Sequence, residues 1–146
     1  MVWSGLTRCH EKFRRANLMR REIILSEDDV ECLDAMGLEW ETMRNGSAWL
    51  LLHQFEFPEG YNHRSGSVAI QIPNNYPMAP LDMAYFYPPL ARLDAKPLRQ
   101  TQVFQQIEGK QWQRWSRHYS WIIGQHNIST HIVLIRNWLK AALEGN

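Results

Sequence analysis

The chain has 146 residues, 45% of them hydrophobic and 21% charged, with a formal net charge of +1. That is ordinary globular usage, enough for one domain with a real core, and no global charge points to nucleic acid. The charge is unevenly placed, however. Residues 1–21 carry Arg8, Lys12, Arg14, Arg15, Arg20 and Arg21 against one acid, Glu11. Such an arm, or extra helix, reads most simply as a solvated end; it would also suit an acidic partner. Cys9 and Cys32 have neither zinc-site nor disulfide-framework spacing. With no signal-peptide pattern and no apolar run near about 18 residues, the expectation is a cytoplasmic chain with both thiols reduced.

From residue 22 onward a single domain is expected. Leu25-Ser26-Glu27-Asp28-Asp29-Val30 predicts a helix start. Ser26 can cap it, the acids suit the positive end of its dipole, and Leu25 and Val30 fit a hydrophobic staple. Val30, Leu33 and Met36 form its inward stripe, with Cys32 a small core or edge residue, and Gly37 is placed to end it. Four short strand-like runs follow. Leu38 to Arg44 leads into Asn45-Gly46, a hairpin signal, and then Ala48 to Phe57. Ser67 to Ile72 alternates, with Val68, Ile70 and Ile72 on one face, and Asp82 to Tyr87 is the fourth. Short connections predict an antiparallel meander. Residues 88–111 show no strong period. Asn127 can cap a last helix whose buried stripe is Ile128, Ile132, Ile135, Leu139 and Ala142, with His131 off the stripe and solvated. The layout is α+β, with helices on one face of the sheet.

The stretch GKQWQRWSRHYSWIIG, residues 109–124, carries too much charge for a core and too much tryptophan for a solvated loop. Its residue types belong at interfaces. They also serve as wedges that fasten a segment to a sheet, the simplest reading of Trp121.

Taken together, these segments resemble the bacterial ubiquitin-conjugating-enzyme-like family E, within the ubiquitin-conjugating (UBC) fold. The resemblance rests on Pro58, Gly60, Tyr61 and Asn62; on the flap Tyr76-Pro77-Met78-Ala79-Pro80; on Asp82, Met83, Tyr85 and Phe86; and on Trp112 to His118 with the unit from Trp121 to Leu139. It covers roughly residues 22–143. It implies a UBC-like fold: an N-terminal helix, a four-stranded antiparallel meander and a C-terminal helix. It further implies handling of the activated C-terminal tail of a ubiquitin-like protein, alongside an adenylating activating enzyme and a JAB-type peptidase. The first helix and basic arm would face the activating enzyme. No metal or organic cofactor is implied.

The sequence departs from that family's better-known relatives at the chemistry. Where they carry His-Pro-Asn and then a nucleophilic cysteine, this chain reads Tyr87-Pro88-Pro89, and no cysteine follows position 32. A thioester at the usual place is therefore impossible. Two readings remain. In the first, Ser116 is an oxygen nucleophile, with Ser120 a second candidate. His118 is its base and Arg114 holds a tail carboxylate or acyl oxygen, all three on one side if the segment is extended. Tyr76 or backbone N–H groups would supply oxyanion contacts. In the second, the protein is a non-catalytic module whose Trp112, Trp115 and Arg114 or Arg117 pack on an extended tail. Both readings expect the block to line a cleft beside the proline flap. Nucleic-acid binding through the arm and the aromatics is a third, weaker reading, given the near-zero net charge.

Overall fold

The computed structural model describes residues 19–145. The basic residues Arg8, Lys12, Arg14 and Arg15, with Glu11 and Cys9, lie outside them. Among the described residues, two helices and six strands run in the order α1 (Glu27–Ala35), β1 (Glu39–Asn45), β2 (Ser47–Glu56), β3 (Ser65–Gln71), β4 (Ala84–Tyr87), β5 (Val103–Ile107), β6 (Lys110–Trp115) and α2 (Ile128–Leu143). One antiparallel sheet holds the strands in the order β1-β2-β3-β4-β6-β5.

The expected α+β layout stands, and both helix starts form as their sequences dictate. The Asp29 N–H donates to Ser26 Oγ at 3.2 Å. Asn127 and Thr130 close a reciprocal capping box, at 3.0 and 2.9 Å. Gly37 ends the α1 region at φ +71°, a conformation other residues reach only with strain. The stripe on α2 is fully interior: Ile128, Ile132 and Ile135 are 0% exposed and Leu139 is 1%. Each such side chain contributes about 1.5–3 kcal/mol of burial free energy.

Two expectations need correction. The sheet has six strands rather than four. β5 and β6 lie within and just beyond the segment that shows no period. β5 is an edge strand, and Val103 to Gln106 are exposed on both faces, so its residues carry no alternation. The turn is Glu108-Gly109, both residues at positive φ (51° and 74°), as a two-residue mirror-image hairpin turn requires. The second correction is His131, which is 0% exposed rather than solvated. It stands three residues beyond Ile128 and four before Ile135, so it belongs to the same helix face.

The sheet buries two clusters, one on each side. The larger takes in Leu50, Leu52, Val68, Ile70, Phe86 and Trp115 under both helices. The smaller contains Met43, Trp49, Leu51, Tyr85, Ile107 and Trp112. The tip of the β5–β6 hairpin reaches back to the first strand: the Glu108 N–H donates to Asn45 Oδ1 at 3.2 Å. Arg20 reinforces this closure. Its guanidinium donates to Glu108 at 2.7 and 2.8 Å and to Glu41 at 3.0 and 3.1 Å. The chain beside it covers the open edge of β1, with the Glu22 N–H on Thr42 O and the Thr42 N–H on Arg20 O, both at 3.0 Å.

Glu41 is 8% exposed. Burial works against its charge, yet the hydrogen bonds from Arg20 and His53 outweigh that cost and hold its carboxyl down at about 2, from 4.5. A depressed folded value contributes stability that is present above the unfolded value and lost as pH falls through the folded one. Stability should therefore drop as pH falls from 4.5 toward about 2. Glu41→Gln should flatten that part of the curve, as read from urea midpoints between about pH 6 and about pH 2.5.

Candidate functional site

Around the proline flap, Tyr76 is engaged on both sides of its hydroxyl. The O–H donates to Asp29 Oδ2 at 2.9 Å and the oxygen accepts from the Ile128 N–H at 2.8 Å. Burial and the Asp29 carboxylate push its phenol well above the ordinary tyrosine value. Tyr76 therefore joins α1, the flap and α2, and its donor is not available to an oxyanion. Trp121 seals the other side of the flap, its Nε1–H donating to Pro77 O at 3.0 Å.

The tryptophan block is a strand and its exit. Along β6, Trp112 and Trp115 are three residues apart, an odd spacing that sends them to opposite faces. Trp112 is 4% exposed against Tyr87, with ring centroids 5.6 Å apart. Trp115 is 0% exposed against Phe86 at 5.1 Å. Neither ring lines a surface groove: both anchor β6 to the two cores. Gln113, 6% exposed, holds the chain beyond Pro88-Pro89 in place. Its amide accepts from the Leu90 N–H and donates to Leu90 O, both at 3.0 Å. It also accepts from Trp115 Nε1–H at 2.9 Å.

Arg114 and Ser116 do lie together, and Arg114 Nε–H donates to Ser116 Oγ at 3.2 Å. Arg117 turns elsewhere. Its guanidinium lies 5.0 Å from the Trp115 ring centroid and donates to Arg99 O at 3.0 Å. Its Nη2 is buried without a partner, and desolvation lowers its pKa. His118 does not bond Ser116. Its Nδ1 meets both oxygens of Asp82 at 3.0 Å, with the imidazole 67% and the carboxylate 43% exposed. Asp82 belongs to the motif that carries the resemblance, but nothing in the sequence paired it with a histidine 36 residues away. The Met83 N–H donates to Arg117 O at 3.2 Å, and this bond brings the two segments side by side.

Sequence reasoning also missed a polar thread behind this strip. Met83 O can only accept, so His131 Nε2 carries the proton across their 2.8 Å contact. His131 Nδ1 then accepts from the Tyr119 O–H at 2.7 Å. Desolvation lowers the His131 pKa, which keeps the ring neutral, and burial raises that of Tyr119. The cavity beside the flap, about 330 Å³, is lined by Ile23, Asp29, Tyr76, Pro77 and His126 among others. No residue from Trp112 to His118 borders it. The expected cleft along the block is therefore not formed: the polar strip is a surface feature, not the wall of that cavity.

The sequence model of prokaryotic E2 family E matches residues 25–142. The chain belongs to that family. It is thus an E2-like protein, akin to ubiquitin-conjugating enzymes, without a cysteine after position 32. No curated protein and no solved structure was found to match it. Among the described residues no helix is long and apolar enough to cross a membrane, and no group of three or more His, Cys, Asp or Glu could hold a metal ion.

Tyr76→Phe should keep the fold but strand the Asp29 acceptor, on a residue 5% exposed, and the Ile128 N–H. The expected loss is about 2 kcal/mol in urea denaturation at neutral pH. An unchanged midpoint would remove the hydroxyl from its joining role.

Proposed function

We propose that this E2-like protein binds the activated C-terminal tail of a ubiquitin-like protein non-covalently, along the strip formed by Arg114, Ser116, Asp82 and His118. The strip itself would form no acyl bond with the tail, which an adenylating activating enzyme delivers. The observation that carries this reading is the partner of the Ser116 hydroxyl. It is a guanidinium, 3.2 Å away, while the neighbouring imidazole is held by Asp82 at 3.0 Å. A serine needs a base on its oxygen to attack. A guanidinium beside a hydroxyl instead makes a pair of donors that suits a carboxylate or acyl oxygen.

One observation favours the covalent alternative, an oxyester on Ser116. A guanidinium at 3.2 Å would stabilise an alkoxide there. In addition, if the Asp82 carboxylate accepts from His118 Nδ1–H, the other ring nitrogen is left to take a proton.

Two measurements separate the readings. Fluorescence anisotropy with a labelled tail peptide should show Arg114→Ala weakening binding about tenfold, the loss of one charge-assisted contact. Incubation with the activating enzyme, ATP and the ubiquitin-like protein, followed by peptide mapping, should find no acyl group on Ser116. An acyl group there, stable to thiols and absent in Ser116→Ala, would replace the non-covalent reading with the oxyester.

A further inference from the structure

A second polar cluster spans the first three strands, on side chains separate from the strip. His53 Nδ1 lies 2.8 Å from Ser67 Oγ, and His53 Nε2 lies 2.9 Å from Glu41 Oε1. A hydroxyl, an imidazole and a carboxylate are thus joined in line across β3, β2 and β1. The contact follows the regular β2–β3 register, in which Leu51↔Ala69 and Leu52↔Val68 continue to His53 opposite Ser67. Between Leu52 and Phe55 the β2–β3 pairing shifts, with Gln54 at φ 53°. That shift lets Leu52 and Phe55 both enter the larger core despite their odd spacing, whereas His53 faces the other side by ordinary alternation from Leu52.

Protonation follows from the partners. Glu41 is ionised and accepts only, so His53 Nε2 carries a proton toward it. In the neutral ring Nδ1 is then the acceptor, and the Ser67 O–H donates to it. Arg20 fixes the carboxylate from the other side, at 3.0 and 3.1 Å. The line runs outward: the Glu41 side chain is 11% exposed, that of His53 is 25%, and Ser67 is partly exposed. Ser67 pairs with Tyr87, the last residue of β4, immediately before Pro88-Pro89. A buried anion orienting an imidazole against a reachable hydroxyl is the arrangement that makes serine nucleophilic.

We infer that Ser67, with His53 as base and Glu41 as the residue that orients it, is an acyl-accepting site for activated esters and thioesters. Ser67 Oγ attacks the carbonyl carbon, an O–C bond forms and the C–S or C–O bond to the leaving group breaks. The hydroxyl proton passes to His53 Nδ1 and then to the departing thiolate or alkoxide. Water or an amine releases the acyl group by the reverse proton path. Arg20 acts as a positioning residue through Glu41.

The test uses the full chain alone with a fluorophosphonate probe, followed by peptide mapping, so it does not depend on the tail-binding reading. Labelling should fall on Ser67, disappear in Ser67→Ala and slow about 100-fold in His53→Gln. Should His53→Gln fail to fold, Ser67→Cys serves instead: its thiol should be alkylated by iodoacetamide about tenfold or more faster than Cys32, because a neighbouring imidazole raises the thiolate fraction. Label on Ser116 alone, no label at all, or a rate indifferent to both substitutions would reduce the cluster to a cross-strand staple.

Discussion

The hydroxyl of Tyr76 is the joint on which the helical side of the molecule depends. It donates to a buried aspartate on α1 and accepts from the first amide of α2. A helix begins with amide groups that have no partner inside the helix. Here a side chain from the flap satisfies one of them and shares the same atom with the other helix. The flap is therefore a structural strut. That alters what it can do chemically, because its one hydroxyl donor is already directed inward.

A parallel constraint acts on the open face. Arg20 binds a carboxylate on the first strand and another on the tip of the last hairpin. Exposed ion pairs contribute little, but this one is anchored on a carboxylate only 11% exposed that His53 also serves. Removing either partner would leave Glu41 with fewer donors in a site that has few other ways to stabilise a charge. The same anchoring fixes the imidazole on Ser67, so one buried anion orders both the closure of the sheet and the polar line beside it.

Much of the scaffold was legible in the sequence because helices and interior strands advertise themselves by period. Ser26, Asn127 and Gly37 mark helix ends, and the α2 stripe and the Val68–Ile70–Ile72 face read directly as core. β5 was not legible, since a strand exposed on both faces has no reason to alternate. His131 was misread because the i, i+4, i+7 stripe passes over it, and its two partners, one of them 48 residues away, are visible only in the fold. Family membership was legible through the flap and the aromatic block together, but the pairing of the site's side chains was not. Ser116 and His118 are neighbours in sequence, and that closeness suggested a dyad. The tertiary fold assigns the serine to Arg114 and the histidine to Asp82, because the segment at Asp82-Met83 runs alongside the chain leaving β6. Local spacing shows which side chains can meet, whereas the neighbouring segment decides which of them do.

The aromatic content shows the same division between sequence and fold. Two of the tryptophans in the block serve as anchors, one in each core, and a third braces the flap. Under the proposed tail-binding reading, specificity along the strip comes from its polar groups rather than from these rings. For an extended peptide end this is physically reasonable. Such a tail offers regular carbonyl oxygens and a terminal acyl group, and few side chains to grip. A guanidinium with a hydroxyl beside it, backed by a carboxylate–imidazole pair, matches those oxygens more closely than an aromatic wall would. On the same reading, the lack of a cysteine after position 32 and the inward placement of the tryptophans favour recognition of the backbone and acyl end of a tail by hydrogen bonds at the strand exit.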